Sequence, residues 1–417
     1  MTIVDRTRIG ARADKHREPR SRSRADVAPS THTAAGVLAE ARGPHTPAVI
    51  GAWREGDPVG RRQFLELGTL PLECGGVLPG VRVAFETWGR LSPGGDNAVL
   101  VQHALTGDSH VEGPADPAHP SPGWWDGLIG PGGPLDTDRW FVVAANVLGG
   151  CQGTTGPSSL APDGHLWGSR FPFITVRDQV AVEARLADLL GIGQWAGVVG
   201  GSMGGMRVLE WAVTHPSRVR RALVLASTAY ATGDQIAWAQ PQLLAIRSDP
   251  DFRGGDYYQE GDRLAGPEQG MGIARRIAHA TYRSGVELDT RFGRLPQGQE
   301  DPLGGGGRYA VESYLDHHAG KLSRRFDPNS YVVLTKAMNS HDVGRGRGSV
   351  QAALSRVTAA TTVVAVDTDR LYPVRLSEEI AAGIPDATFH TIHSDYGHDG
   401  FLIEIEQVGG LIAEALR

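Results

Sequence analysis

Gly200-Gly201-Ser202-Met203-Gly204 puts a serine hydroxyl at the centre of a G-x-S-x-G pentapeptide. The apolar run Ala196–Val199 precedes it, and Arg207–Val213, with apolar residues at helical spacing, follows it. A serine on a sharp strand-to-helix turn is strained in φ/ψ, and small residues two positions before and after let such a turn close. Gly200 and Gly204 meet that need. The alternative is a glycine-rich turn carrying a solvated serine, and the flanking strand and helix patterns argue against it. A serine hydroxyl is a poor nucleophile at neutral pH. An imidazole must accept its proton, and a carboxylate must hold that imidazole in the right tautomer. The chemistry these residue types offer is acyl transfer through a covalent acyl-serine.

Around an elbow of this kind the acid and then the histidine follow the serine in chain order, each on a loop after a strand. Asp367 and Asp369 both directly follow the apolar run Thr361–Val366. Asp369, four residues before Pro373, is the favoured acid, while Asp367 could hydrogen-bond the turn backbone. Of fifteen histidines, His398 follows Gly397 on the loop after the last strand pattern, where an imidazole could reach Ser202. His390 and His393 are its nearby competitors, and His390 falls within the strand pattern itself. The developing oxyanion needs two backbone donors. They are assigned to the N–H of Met203, which follows the serine, and to that of Leu105, on a loop at the end of the strand Ala98–Gln102. Cys151, in a glycine turn with no paired histidine, reads as a small packed residue rather than a thiol nucleophile.

The elements that must carry these groups alternate. Phe64–Leu67 and Val81–Thr87 read as an antiparallel edge hairpin, and Ala98–Gln102, Trp140–Ala145 and Ala222–Ala226 as buried strands. Val176–Leu190 repeats its apolar face every three or four residues and ends at Gly191, as an amphipathic helix would. Strand, elbow, helix and strand form the βαβ unit of an α/β hydrolase, with a mostly parallel sheet. From 228 to 349 the alternation stops, and helical stretches and polar loops predict a helical lid inserted between two strands. It resumes with Thr361–Val366, a helix around Leu376–Ala382, and Thr388–Ile392. The expected division is therefore a disordered extension over 1–46, the first part of the core over 47–227, the lid over 228–349 and the rest of the core over 350–417.

The 417 residues, 40% of them hydrophobic, can bury a large core, and the net charge of −6 offers no nucleic-acid footprint. Two cysteines, Cys74 and Cys151, argue against a disulfide framework or a cysteine-rich metal site and for a reducing compartment. No apolar run approaches the ~20 residues of a membrane span. A cytoplasmic protein without a metal or prosthetic group is expected. The Arg- and Ser-rich leader has the flavour of a transit peptide, but Asp5, Asp14, Glu18 and Asp26 interrupt it.

Several stretches together resemble one family. They are His103-Ala104-Leu105-Thr106-Gly107-Asp108-Ser109-His110, Gly123-Trp124-Trp125-Asp126, Asn146-Val147-Leu148-Gly149-Gly150-Cys151, the elbow itself, Asn339-Ser340-His341-Asp342, Asp369-Arg370-Leu371-Tyr372-Pro373 and Tyr396-Gly397-His398-Asp399-Gly400-Phe401. From about Arg62 to the end the chain is similar to the homoserine O-acyltransferases, notably the homoserine O-acetyltransferases. The resemblance implies ping-pong transfer of an acetyl group from acetyl-CoA to the hydroxyl of L-homoserine through Ser202, with His398 as base, Asp369 orienting it, and a homodimer formed through the lid. It further implies Arg275 on the homoserine carboxylate, Asp399 at the α-ammonium group and Tyr282 in the acyl pocket. Read without the resemblance, Arg275 and Arg276 are a solvated helix face and Asp399 a cap. Succinyl-CoA as donor, or an esterase-type hydrolase, are the competing readings.

Overall fold

Eight strands form one sheet in the order β1-β2-β4-β3-β5-β6-β7-β8. They are β1 (Gln63–Pro71), β2 (Val77–Trp88), β3 (Ala98–Gln102), β4 (Phe141–Ala145), β5 (Gly197–Gly201), β6 (Arg221–Leu225), β7 (Ala360–Val366) and β8 (Thr388–Ile392). This computed structural model describes residues 51–258 and 266–417, which belong to one compact unit. The expected extension over 1–46 lies outside the described residues. β2 runs antiparallel to both β1 and β4, and every other pairing in the sheet is parallel.

The central strands are apolar throughout because both sheet faces are covered. Side chains alternate between two cores. Val198, Val143 and Val363 face Val180, Leu186, Trp211 and Ile380 on one side. Val199, Val142 and Val364 face Trp125, Phe401, Val408 and Ile412 on the other. The first face is covered by α1 (Val176–Leu189) and α2 (Met203–Thr214). Helix α1 starts where its cap dictates: Thr175 accepts the Asp178 N–H, and the Asp178 carboxylate accepts the Thr175 N–H, a capping box.

Between β6 and β7 the chain leaves the sheet for α3 (Gly233–Ser248), α4 (Glu268–Tyr282), α5 (Gly285–Arg291), α6 (Ala310–Ser323) and α7 (Pro328–Asn339). These helices are the lid read from the sequence. They share a core of Leu243, Ile246, Met271, Leu322, Phe326 and Tyr331 that also takes in Leu105, Val147 and Met203 from the sheet side. The lid therefore packs directly on the two residues assigned to the oxyanion.

One buried ion pair ties the carboxyl end of β3 to α1 and α2. Arg207 on α2 is fully buried and donates to Glu183 of α1 at 2.7 Å and to the His103 carbonyl at 2.6 Å. The same carboxylate accepts Trp211 Nε1 at 2.7 Å and Gln102 Nε2 at 3.0 Å. Removing one partner of such a pair strands the other charge. Glu183→Ala is expected to cost about 3–5 kcal/mol of unfolding free energy. Urea unfolding measures it, and a loss under about 1 kcal/mol would show that water reaches Arg207.

Candidate active site

Ser202 sits between β5 and α2 at φ 57°, ψ −123°. For a non-glycine residue this is a sparsely populated region, costing about 1–3 kcal/mol unless its surroundings hold it there. They do. The Ser202 N–H donates to Leu225 O at 3.0 Å, and its carbonyl accepts Met206 N–H at 3.1 Å and Ser227 Oγ at 2.8 Å. The flanking glycines are required by close approach rather than by their own dihedrals. A methyl on Gly200 would stand 2.7 Å from the carbonyl carbon of Gly204, and one on Gly204 would run into the Gln102 carbonyl.

Three side chains from the ends of three strands meet at this turn. His398 Nε2 is 2.9 Å from Ser202 Oγ, and His398 Nδ1 is 2.6 Å from Asp369 Oδ2. The other Asp369 oxygen accepts the Leu371 and Tyr372 N–H groups, each at 2.8 Å, which fixes the carboxylate. All three residues are buried. The imidazole stacks on Tyr372 at 5.0 Å between centroids and has the Phe401 edge at 5.4 Å and Tyr282 at 5.8 Å. Burial alone would push the His398 pKa down, but the Asp369 charge and hydrogen bond outweigh it and raise it above its ordinary value. The N–H groups of Leu105 and Met203 have no acceptor among the described residues.

The competing residues lie elsewhere or are inert. Asp367 and His393 pair with one another at 2.9 Å, with the His393 side chain 81% exposed. His390 stays within β8. Cys151 is buried, and burial first, then Asp327, pushes its thiol pKa up, which disfavours the thiolate a nucleophile needs. Arg275 and Arg276, adjacent on α4, part company. Arg276 binds Asp316 at 2.6 Å and 3.0 Å. Arg275 instead lies 5.5 Å over the Tyr282 ring, with Nε and Nη1 buried and unpartnered.

That guanidinium and Asp399 both line a cavity of about 590 Å³. Asp399 caps nothing with its side chain. Arg283 Nε stands 3.3 Å from its Oδ2, and burial, only partly offset by Arg283, raises its pKa. Tyr282 borders a second, smaller chamber of about 50 Å³ with Leu105, Met206, Leu371 and Tyr372. Sequence reasoning missed Tyr372, His279 and Arg283. Helical spacing points to the second, four residues beyond Arg275 on α4; its two ring nitrogens are buried without partners in the cavity wall.

Among the described residues one group has the make-up of a metal site: Glu86, His110 and His119, all buried. Its geometry is that of a clamped carboxylate. The two imidazoles stack 4.0 Å apart, 13° from parallel, and each addresses a different oxygen of Glu86, at 3.3 Å and 3.2 Å. Nearly parallel rings do not converge on one ion. Burial would raise the Glu86 pKa, but hydrogen bonds from His110 and His119 outweigh it and hold it at about 2.

Comparison with known proteins fits this geometry. Residues 97–404 match the family described as alpha/beta hydrolase fold. A solved homoserine O-acetyltransferase from Bacillus anthracis superposes with a TM-score of 0.78 at 27% identity, covering 85% of this chain and 97% of that one. Esterase E22 superposes at 0.77 and 26% identity, covering 85% and 99%. The sheet order, the strained serine and its hydrogen-bonded histidine and aspartate thus define an α/β hydrolase. At closer range, a homoserine O-acetyltransferase from Thermobifida fusca (strain YX) is 66% identical over 376 residues, 89% of this chain and 98% of that protein. The chain belongs to the homoserine O-acetyltransferase family.

A base at His398 must be neutral to take a proton. Its raised pKa therefore puts the acid limb of the kcat/KM profile above the ordinary imidazole range, activity falling as pH drops through it. Asp369→Asn removes the charge that raises it, so residual activity, down by about 10⁴, should show that limb at lower pH. An unmoved limb in a pH–rate series would take Asp369 out of contact with the titrating group.

Proposed function

We propose that the protein transfers an acetyl group from acetyl-CoA to the hydroxyl of L-homoserine, giving O-acetyl-L-homoserine and CoA. The observation that carries this reading is the hydrogen-bonded Ser202–His398–Asp369 set beside a cavity holding an unpartnered guanidinium and a carboxylate. A zwitterionic amino acid presents the complementary pair of charges. The relatives in the family carry the same acceptor in their name.

Ser202 Oγ attacks the thioester carbonyl while His398 Nε2 takes its proton. The oxyanion of the tetrahedral intermediate accepts the Leu105 and Met203 N–H groups. Collapse expels the CoA sulfur, which receives the proton from His398 and leaves acetyl on Ser202. Homoserine then enters, with its carboxylate on Arg275 and its ammonium group at Asp399, both in the cavity lining. His398 takes the hydroxyl proton, the alkoxide attacks the acyl carbon, and the proton returns to Ser202 as the ester leaves. No prosthetic group takes part.

Two features support the choice of donor. The large cavity carries Arg62, Arg275, Arg283, Lys321, Arg324 and Arg325 against Asp57, Asp108 and Asp399, a surplus of positive charge suited to a donor bearing phosphates. The small chamber bordered by Leu105, Tyr282 and Tyr372 has no cationic side chain in its lining. A succinyl carboxylate placed there would be buried without a cationic partner. The esterase reading has structural neighbours at 26% identity behind it; a homoserine O-acetyltransferase at 66% outweighs them.

No described helix is long and apolar enough to cross a membrane. A cytoplasmic setting is proposed from the two free cysteines. A homodimer through the lid is supported by Ile236, Trp238, Leu244 and Ile273, exposed large apolar residues on α3 and α4, and light scattering tests it.

Purified protein given homoserine with acetyl-CoA or succinyl-CoA in parallel, while thiol release is followed, should turn over the acetyl donor. Equal rates with both would remove the donor assignment. Ser202→Ala should abolish transfer with the fold retained. Arg275→Ala should raise the Michaelis constant for homoserine more than that for acetyl-CoA, and the reverse pattern in steady-state kinetics would move Arg275 out of the amino-acid site.

A further inference from the structure

His103 lies two residues before Leu105, is 3% exposed, and is engaged at both ring nitrogens. The backbone N–H of Val147 donates to Nε2 at 3.1 Å. A ring nitrogen that accepts holds no proton, so in the neutral imidazole the proton is on Nδ1. Nδ1 stands 2.8 Å from the Ala104 carbonyl oxygen and donates to it. Burial, with the Arg207 charge acting in the same direction, lowers the pKa of this ring to about 3. The δ-protonated neutral form therefore persists through the neutral range. The same carbonyl accepts the Gly107 N–H at 2.9 Å, and the loop's entry is pinned by Arg207 on the His103 carbonyl at 2.6 Å.

The Ala104 carbonyl and the Leu105 N–H belong to one planar peptide unit and point in opposite directions. Whatever fixes the first aims the second. That N–H is left without an acceptor among the described residues, while Leu105 itself is buried in the lid core beside Met203. We infer that His103 is a positioning residue for the oxyanion: its Nδ1–H locks the Ala104–Leu105 peptide so that the Leu105 N–H faces the carbonyl oxygen of the acyl group on Ser202. The inference rests on the acyl-serine reading above and adds to it the group that sets the direction of one donor.

Two substitutions separate aiming from mere packing. His103→Leu keeps the bulk and loses both hydrogen bonds. His103→Asn puts an amide N–H where Nδ1–H was and leaves Val147 without its acceptor. His103→Leu should lower kcat by about ten- to a hundredfold, short of the loss for deleting an oxyanion donor outright. The Michaelis constants for homoserine and the acyl donor should stay unchanged. His103→Asn should recover most of kcat while its thermal midpoint still falls. Methylboronic acid, whose serine adduct places an oxygen at the oxyanion position, should bind His103→Leu more weakly by the same factor as kcat. Failure of the wild-type protein to form that adduct at Ser202 would bring down the acyl-serine reading itself. An adduct of undiminished affinity in a folded His103→Leu protein, or a kcat for His103→Asn as low as or lower than that for His103→Leu, would overturn the role given to His103 alone. If His103→Leu does not fold, a hundredfold loss in folded His103→Asn, which retains the Nδ1-like donor, overturns it.

Discussion

The backbone of Ser202 is the constraint on which the site depends. Holding a non-glycine residue at φ 57° stores strain, and the fold offsets it by satisfying both of that residue's peptide groups, through Leu225, Met206 and Ser227. Those partners come from β6, from α2 and from the loop after β6, so the sheet holds the turn that the close approach at Gly200 and Gly204 permits. What the strain secures is presentation of the hydroxyl at a tight turn, within hydrogen-bond reach of His398. The same turn presents the Met203 N–H as the first unpaired donor of a helix N-terminus, where partial positive charge collects. On the proposed reading, nucleophile and one anion donor are thus products of a single backbone conformation.

Much of this could be read in the sequence because its signals are local. The glycines around Ser202 and the switch from apolar strand to helical spacing identify the elbow within a dozen residues. The acid and histidine follow from chain order, since each strand of a parallel sheet delivers its loop to the same edge. Helix α1 begins at Val176 as its periodicity and cap require. Other features were out of reach for stated reasons. The separation of Arg275 from Arg276 depends on about 100° of helix rotation and on what α6 offers each face, namely Asp316. The Asp367–His393 pair, which removes two competitors at once, forms across neighbouring parallel strands, β7 and β8. Glu86 gathers His110 and His119 from a loop whose course nothing in its composition reveals. Backbone donors leave no trace in residue identity, so Leu105 could be assigned only from the loop's place after β3.

Net charge proved a blunt guide to the ligand. The chain carries −6 overall, which argues against a polyanion such as nucleic acid, yet the cavity wall is locally cationic. A low-dielectric cleft concentrates the field of its own lining, and distant surface carboxylates are screened within about 10 Å. A small anionic co-substrate is compatible with such a distribution where a long polymer is not.

His398 and Asp399 are consecutive residues of one short helical turn, Gly397–Asp399. Its entry, Gly397, has φ 67° and lies against the backbone of Tyr282 and Ser284, where any side chain would collide. On the proposed reading, the proton acceptor and the group that receives the amino end of the acceptor substrate share this rigid mount. Drift in one is drift in the other. A lineage acquiring a different acceptor therefore has little room to rebuild this corner without eroding its catalyst, and the freer route to divergence runs through the helical face of α4 that carries Arg275 and His279, where side chains can be exchanged one at a time.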